Sequence, residues 1–481
     1  MKGPSHRALA ERADRAVALA QNRAAADPQR PRYHVLPPAH WNNDPNGPLF
    51  FRGRYHLFYQ HNPFAASWGN MSWGHAVSRD LAHWEHWPIA LVPTLRSCDK
   101  DGIFSGCCVI HRGVPHILYT GVSPEVQCLA TSRDGMKTWK KHPANPLIQS
   151  RPPGLELEGF RDPYVWREGR SWYMALGSGF KDRGGAVLLH RSSDLVRWNY
   201  LHPLCVGDRE ESGPMWECPN FFPLGDRHLL CVSPYGPVLY WLGQYKNHRF
   251  SPRTPPLRLD LGDVFYAPNS LGDDQGRRLL WGWVREARPQ RACDRAGWSG
   301  CLTLPRVLSL EEDGSLRIEP APELQALRRR HWNFTGEEVG DTAQWLRRVK
   351  GDCLEILAEF APGGAPVVGF KVRRAPGGAQ ETEVICDRRR QRLEVVREKS
   401  TTARGAVATT VGGPLPLGRG ESLCLRLFLD RSVLEVYARG QVLTTRIYPS
   451  RKDALGLDLF ARGGKAQLRS LEIWEMNSIW E

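Results

Sequence analysis

From about residue 33 to the end, the chain is a succession of short apolar runs separated by turn-forming residues. RYHLFYQ (54–60), HILYTGV (116–122), LLWGWV (279–284) and LTLPRVLSL (302–310) have the length and the aromatic and β-branched content of strands. The first 28 residues differ. Alanine, leucine and valine recur there at helical spacing from about Ala8 to Ala26, and Asp27-Pro28 stops the pattern. An amphipathic helix packed on the main body is the first expectation, with a partner-binding helix as the alternative.

The strand-like runs repeat. SRDLAHW (78–84), SRDGMKTW (132–139) and SSDLVRW (192–198) share a Ser-x-Asp turn followed by tryptophan, and their starting serines lie 54 and then 60 residues apart. A repeat of that length, made of several short strands, predicts propeller blades of about four strands each. After about residue 330 the texture changes to alternating strands such as LCLRLFL (423–429) and SVLEVYA (432–438) with Gly-rich turns. This part predicts a β-sandwich, and EPAPELQALRRR (319–330) a linker to it.

WNNDPNG (41–47) by itself reads as a turn, since Asn, Asp, Pro and Gly each favour one. The repeat gives Asp44 a second reading. Asp101, Asp162, Glu217 and Asp263 follow it at intervals of 57, 61, 55 and 46 residues. Five blades over residues 33–320 fit this spacing, and acids at one phase of a propeller converge on its axis. Taken singly, Asp162 could pair with Arg161 or cap a turn before Pro163, and Glu217 could be a surface strand residue. Together, carboxylates crowded in one place raise one another's proton affinity. That is the arrangement of glycoside cleavage, where one carboxylate attacks the anomeric carbon and another carries the proton.

Composition narrows the partners. The 481 residues include 18 Trp and 41% hydrophobic residues, which suits a folded protein with aromatic faces for sugar rings. A net charge of +14 would permit nucleic-acid binding, but the basic residues are scattered and their longest runs, at 328–330 and 388–392, are short. No nucleic acid and no membrane partner is therefore expected. Twelve cysteines show no CxxC pair and no Cys/His spacing suited to zinc, so they read as mostly reduced and buried, with no metal and no cofactor. The N-terminus has no uninterrupted apolar run, which leads to the expectation of a cytoplasmic protein, in which the sequons at Asn70 and Asn333 need no function.

WNNDPNG, FRDP (160–163) and WECP (216–219), in this order and at these distances, resemble the three signatures of glycoside hydrolase family 32, the β-fructofuranosidases that include invertases, levanases and inulinases. RYHLFYQHNP, GIFSG (102–106), FYAPNS (265–270) and RLFLDRSVLEVY (426–437) look like further family segments. The resemblance implies a five-bladed propeller followed by a β-sandwich. It also implies roles: Asp44 as nucleophile, Glu217 as acid/base and Asp162 as stabiliser of the transition state, with Arg161 keeping Asp162 ionised. Asn43 and Gln60 would bond sugar hydroxyls, Ser105 of FSG would join them, and Trp68, Phe104 and Trp283 would wall the pocket. Three residues depart from the family pattern and bear on leaving-group contacts: Asn42 after the tryptophan, Cys107 after FSG and Asn220 after ECP.

The expectation is thus an all-β chain with a helical extension over 1–32, a propeller over 33–320, a linker over 321–335 and a sandwich over 336–481. Its activity would be retaining hydrolysis of sucrose or a close derivative through a fructosyl-Asp44 intermediate. The N-terminal helix before PRYHVLPP (31–38) also resembles intracellular sucrose or sucrose-6-phosphate hydrolases of bacteria. The alternatives are a fructan exohydrolase, a fructosyltransferase and, from another class, a non-catalytic sugar-binding propeller.

Overall fold

The computed structural model describes residues 4–343, 346, 348–418 and 420–480. Between residues 40 and 320 the strands form five antiparallel sheets that follow one another along the chain. The first strand of each sheet is His40–Phe51, Ile103–His111, Leu157–Glu168, Glu217–Leu224 and Phe265–Gly272. Each of these contacts the first strand of the next sheet, and the fifth contacts the first, so the five close into a ring. The seam is reinforced by Trp298–Ser299, which returns from beyond the fifth sheet and pairs in parallel with His40–Trp41.

The Ser-x-Asp repeat is one turn built three times, between the third and fourth strands of the first three sheets. In the first sheet Ser78 Oγ accepts from the amides of Asp80 and Leu81, while Asp80 Oδ1 accepts from those of Ala82 and His83. Ser192 and Asp194 make the same bonds in the third. Leu81, Met136 and Leu195 all take positive φ, near 64°, 69° and 66°, which the side-chain bonds hold in place. Trp84 and Trp198 close their turns by donating Nε1 to the carbonyls of Leu81 and Leu195.

The second half is two stacked sheets, one of seven strands and one of five. Their facing side chains, including Ile356, Phe370, Leu427 and Leu459, are fully buried in one apolar core. The segment expected to be a linker is structured: Pro322–Leu327 is a short 3-10 turn and Arg328–Thr335 is a strand paired with Ala466–Met476 of the larger sheet. Its arginine run is part of that strand, and Arg328 forks onto buried Glu355 with bonds of 2.7 and 2.8 Å. Arg329 and Arg330, which follow Arg328 on the same strand, are exposed.

The N-terminal helix spans His6–Ala25 and is capped by Ser5, whose hydroxyl accepts from the Ala8 amide. Ala10, Ala13, Val17 and Ala24 form its buried stripe against the first sheet. The residues after it reach the sandwich, where Arg32 and Tyr33 donate their amides to Asp430 at 2.8 Å. Among the described residues no helix is long and apolar enough to cross a membrane. All twelve cysteines are free and nine are buried.

Candidate active site

The five first strands carry the same irregularity. Each breaks register with its neighbour near the mouth of the ring: between Asn42 and Pro45, Ile103 and Gly106, Arg161 and Tyr164, Glu217 and Asn220, and Tyr266 and Asn269. A bulge turns side chains out of the regular alternation and leaves a residue unpaired. Proline, which has no amide to give the ladder, fits there, and four of the five bulges have one: Pro45, Pro163, Pro219 and Pro268. The second sheet has Gly106 instead, where a Cβ would lie 2.0 Å from the Leu118 carbonyl oxygen.

The two residues before this proline or glycine are Asn43-Asp44, Phe104-Ser105, Arg161-Asp162, Glu217-Cys218 and Tyr266-Ala267. Eight of these ten side chains line a single cavity of about 190 Å³, completed by Gln60, Trp68 and Trp283. All ten residues expected from the sequence therefore meet in one place, and Tyr266 joins them. Larger cavities beneath the N-terminal helix and beside the sandwich hold one carboxylate each, Asp14 and Asp263.

Two of the five periodic acids do not converge. Asp101 lies before its bulge on the exposed surface, beside Lys100. Asp263 lies before its strand and pairs with Arg397 of the sandwich at 2.6 Å. Glu217 is also one position out of phase with Asp44 and Asp162 relative to the bulge. Ser105 and Tyr266 occupy the places that the second and fifth acids were expected to fill.

Asp44 forms the half-buried floor. Its Oδ2 accepts from Ser105 Oγ at 2.5 Å and its Oδ1 from Asn43 Nδ2 at 3.0 Å. Gln60 links the two donors, accepting from Asn43 at 3.1 Å and donating to Ser105 at 2.7 Å. Burial raises the Asp44 carboxyl above its ordinary value, and the bonds from Ser105 and Asn43 pull it back. Asp162 is 6% exposed, and its Oδ2 accepts from the Cys218 amide at 3.0 Å. Burial raises Asp162 as well; the neighbouring Arg161 charge opposes this, and Glu217 and Asp44 add to it. The Cys218 thiol lies 3.5 Å from both Asp44 Oδ2 and Asp162 Oδ2.

The Arg161 side chain does not bond to Asp162. Its guanidinium reaches Glu217 Oε1 at 2.9 Å, Glu125 Oε1 at 2.6 Å and the Tyr235 hydroxyl at 2.5 Å. On the other side of Glu217, the Tyr266 hydroxyl donates to Oε2 at 2.7 Å. Glu217 is thus oriented by a cation and a phenol, not only by the other acids. Arg285 stacks 3.9 Å above the Tyr266 ring. At the rim, Trp68 is 61% exposed and meets Phe104 edge to face.

Tyr266, Glu125 and Tyr235 were not singled out by the sequence reading. Tyr266 carried a signal, since Y-A-P repeats the phase of E-C-P. Glu125 and Tyr235 sit in loops outside the repeat and carried none. The three departures from the family pattern stay out of the cavity. Asn42 is buried and donates to the Asn43 carbonyl, Cys107 packs among Leu118, Leu129 and Val165, and Asn220 donates to the Pro268 carbonyl of the next bulge at 2.8 Å. None of the three lines the cavity.

The family model for the N-terminal domain of glycosyl hydrolases family 32 matches residues 34–320, and that for the family's C-terminal domain matches residues 323–475. The chain belongs to glycoside hydrolase family 32. It is 35% identical to the sucrose-6-phosphate hydrolase of Escherichia coli, over 93% of this chain and 94% of that protein. Among solved family 32 structures, it superposes on the sucrose-6-phosphate hydrolase of Lactobacillus gasseri with a TM-score of 0.84, at 25% identity and 97% coverage of both chains. It also superposes on fructan 1-exohydrolase IIa of Cichorium intybus in complex with 1-kestose, with a TM-score of 0.86, 28% identity and coverage of 94% of this chain and 98% of that one. Membership makes the protein a glycoside hydrolase.

Proposed function

We propose that the protein is a retaining β-fructofuranosidase that hydrolyses the fructosyl bond of sucrose or a close derivative. The observation that carries this reading is the meeting of Asp44, Asp162 and Glu217 in one cavity lined otherwise by amide, hydroxyl and aromatic groups and the Arg161 guanidinium. The names of its relatives agree, among them a sucrose-6-phosphate hydrolase and an exohydrolase holding 1-kestose. The five sheets and their ring of first strands are read as a five-bladed propeller over 33–320. A helical extension over 1–32 precedes it and the sandwich over 336–481 follows the segment 321–335, whose last strand already pairs with the sandwich.

In this mechanism Asp44 attacks the anomeric carbon of the fructosyl unit while Glu217 gives its proton to the departing glycosidic oxygen. The fructosyl-Asp44 ester is then cleaved by water, whose proton returns to Glu217. Ser105 and Asn43 fix the attacking carboxylate so that it need not reorganise. Arg161 and Tyr266 fix both oxygens of Glu217. Asp162 faces the ring hydroxyls and opposes the positive charge that develops on the sugar. The small cavity and exposed Trp68 rim suit a single terminal fructosyl unit with its leaving group outside. Twelve free cysteines suit a reducing, cytoplasmic compartment.

The test is release of glucose and fructose from sucrose by the purified protein beside Glu217→Gln and Asp44→Asn. Turnover that falls by about three orders of magnitude in both variants supports the assignment. Unmutated protein that binds sucrose, sucrose-6-phosphate and fructans but turns none of them over would replace the reading with a sugar-binding propeller.

A further inference from the structure

Cys98, on the loop that leads into the active site, faces Cys128 on the second sheet. Cys98 is half-buried on the connection between the first and second sheets, and Cys128 is buried on the strand Val126–Thr131. Their sulfurs are 3.4 Å apart. A disulfide is about 2.05 Å long, so the sulfurs must close a gap of little more than about an ångström to bond.

The loop is held on the second sheet by one cation. Lys141 donates Nζ to the Val92 carbonyl at 2.8 Å and to Thr94 Oγ1 at 2.7 Å, and it pairs with Asp99 at 2.5 Å. Asp99 also accepts from the Tyr119 hydroxyl at 2.8 Å. The carbonyl of Cys98 lies so close to Gly121 that a Cβ there would come within 2.7 Å of it. These contacts seat the Cys98 backbone against the second sheet. The two thiols share one hydrogen bond, and the Lys141–Asp99 pair lies next to Cys98. Cys98 is the more exposed of the two and is the sulfur that a peroxide reaches first.

We propose that Cys98 and Cys128 are a redox-modifiable dithiol, converted by a hydroperoxide into an intramolecular disulfide that fixes residues 92–102 beside the active site. The Cys98 thiolate attacks one oxygen of the peroxide, forming a sulfenic acid and releasing hydroxide, or water after protonation. The Cys128 sulfur then attacks Cys98, the S–S bond forms, and the sulfenic oxygen leaves as water with the Cys128 proton. Two thiols and one hydrogen peroxide give one disulfide and two waters, and a dithiol reductant reverses the change. The loop runs directly into Phe104 and Ser105, and Ser105 holds Asp44. Locking it keeps that strand seated when the protein is heated, by removing conformations open to the loop.

The experiment treats the full-length protein with hydrogen peroxide, blocks remaining thiols, digests it and maps linked peptides by mass spectrometry. A peptide pair joining Cys98 to Cys128 is expected, lost after dithiothreitol and absent from Cys98→Ser and Cys128→Ser. The oxidised enzyme should keep its activity and show a half-life at inactivating temperature about threefold longer or more. Thiols that both remain alkylatable, or a Cys98 that proceeds to sulfinic acid without linkage, would overturn the proposal. So would a linked protein that loses activity on heating as fast as the reduced one.

Discussion

Ser105 and Asn43 each take one oxygen of Asp44, and each lowers the proton affinity that burial raises. Losing the Ser105 hydroxyl leaves burial less opposed. Ser105→Ala is expected to lower kcat about tenfold, the worth of one hydrogen bond to a carboxylate. It should also move the acidic limb of the kcat/KM profile to higher pH, because Asp44 attacks only when ionised and its carboxyl rises further. A pH-rate series on both proteins checks this, and a fall in activity with an unmoved limb would make Ser105 a packing residue only. At this scale the sequence was informative wherever a residue sat next to a signature proline. It named Arg161 but paired it with Asp162, whereas the side chain crosses to Glu217 and Glu125, because bonding choices between strands far apart in the chain leave no local pattern.

One bulge, repeated in five strands, supplies most of the site. The prolines of N-D-P, R-D-P, E-C-P and Y-A-P mark it in the sequence, since a residue without an amide is tolerated in a strand where the ladder is already broken. In the second sheet the same place is Gly106, whose amide donates to Asn46 Oδ1 at 3.1 Å. Its missing Cβ is what lets the Leu118 carbonyl approach. Gly106→Ala should therefore cost about 2 kcal/mol or more by overpacking. The measurement is the urea midpoint, and an unchanged midpoint would show that the sheet relaxes at no cost. The acid period misplaced Asp101 and Asp263 because it counted residue type alone, whereas the cavity takes the residues just before each bulge proline or glycine, and these two acids lie earlier in the chain.

The whole molecule is joined through buried charge. Arg306, with no exposed surface, bonds Asp260 and Glu435 at 2.9 Å each, and His34 lies between Asp430 at 2.8 Å and Glu435 at 3.3 Å. Propeller-side, sandwich and N-terminal residues meet there. Burial alone would raise Glu435, but Arg306, His34 and Tyr437 more than offset it and bring it down to about 2 from an ordinary 4.5. A depressed carboxyl stabilises above its unfolded value and loses that contribution as pH falls through the folded one. Glu435→Gln is therefore expected to lower stability by about 3 kcal/mol near pH 6, with the difference from the unmutated protein shrinking between pH 4.5 and 2. Thermal melts across that range test it, and a difference independent of pH would assign the loss to packing alone. RLFLDRSVLEVY, LTLPRVLSL and PRYHVLPP hold four of its members, but nothing in them announced that residues 34, 260, 306, 430 and 435 meet.

By itself the sequence determined the class of structure and the chemistry. Strand length, turn residues and the 54- and 60-residue spacing follow from local backbone preferences, and the carboxylates stand beside prolines that local rules make visible. The tertiary structure decided which of those groups meet. Ring closure brings Ser105 and Tyr266 to the acids and sends Asp263 to the sandwich. It also turns Arg161 toward Glu217 and recruits Arg328–Thr335 into the second half. Such pairings depend on the relative placement of strands from different sheets, and free energies of burial and long-range bonding fix them only when the whole chain is folded.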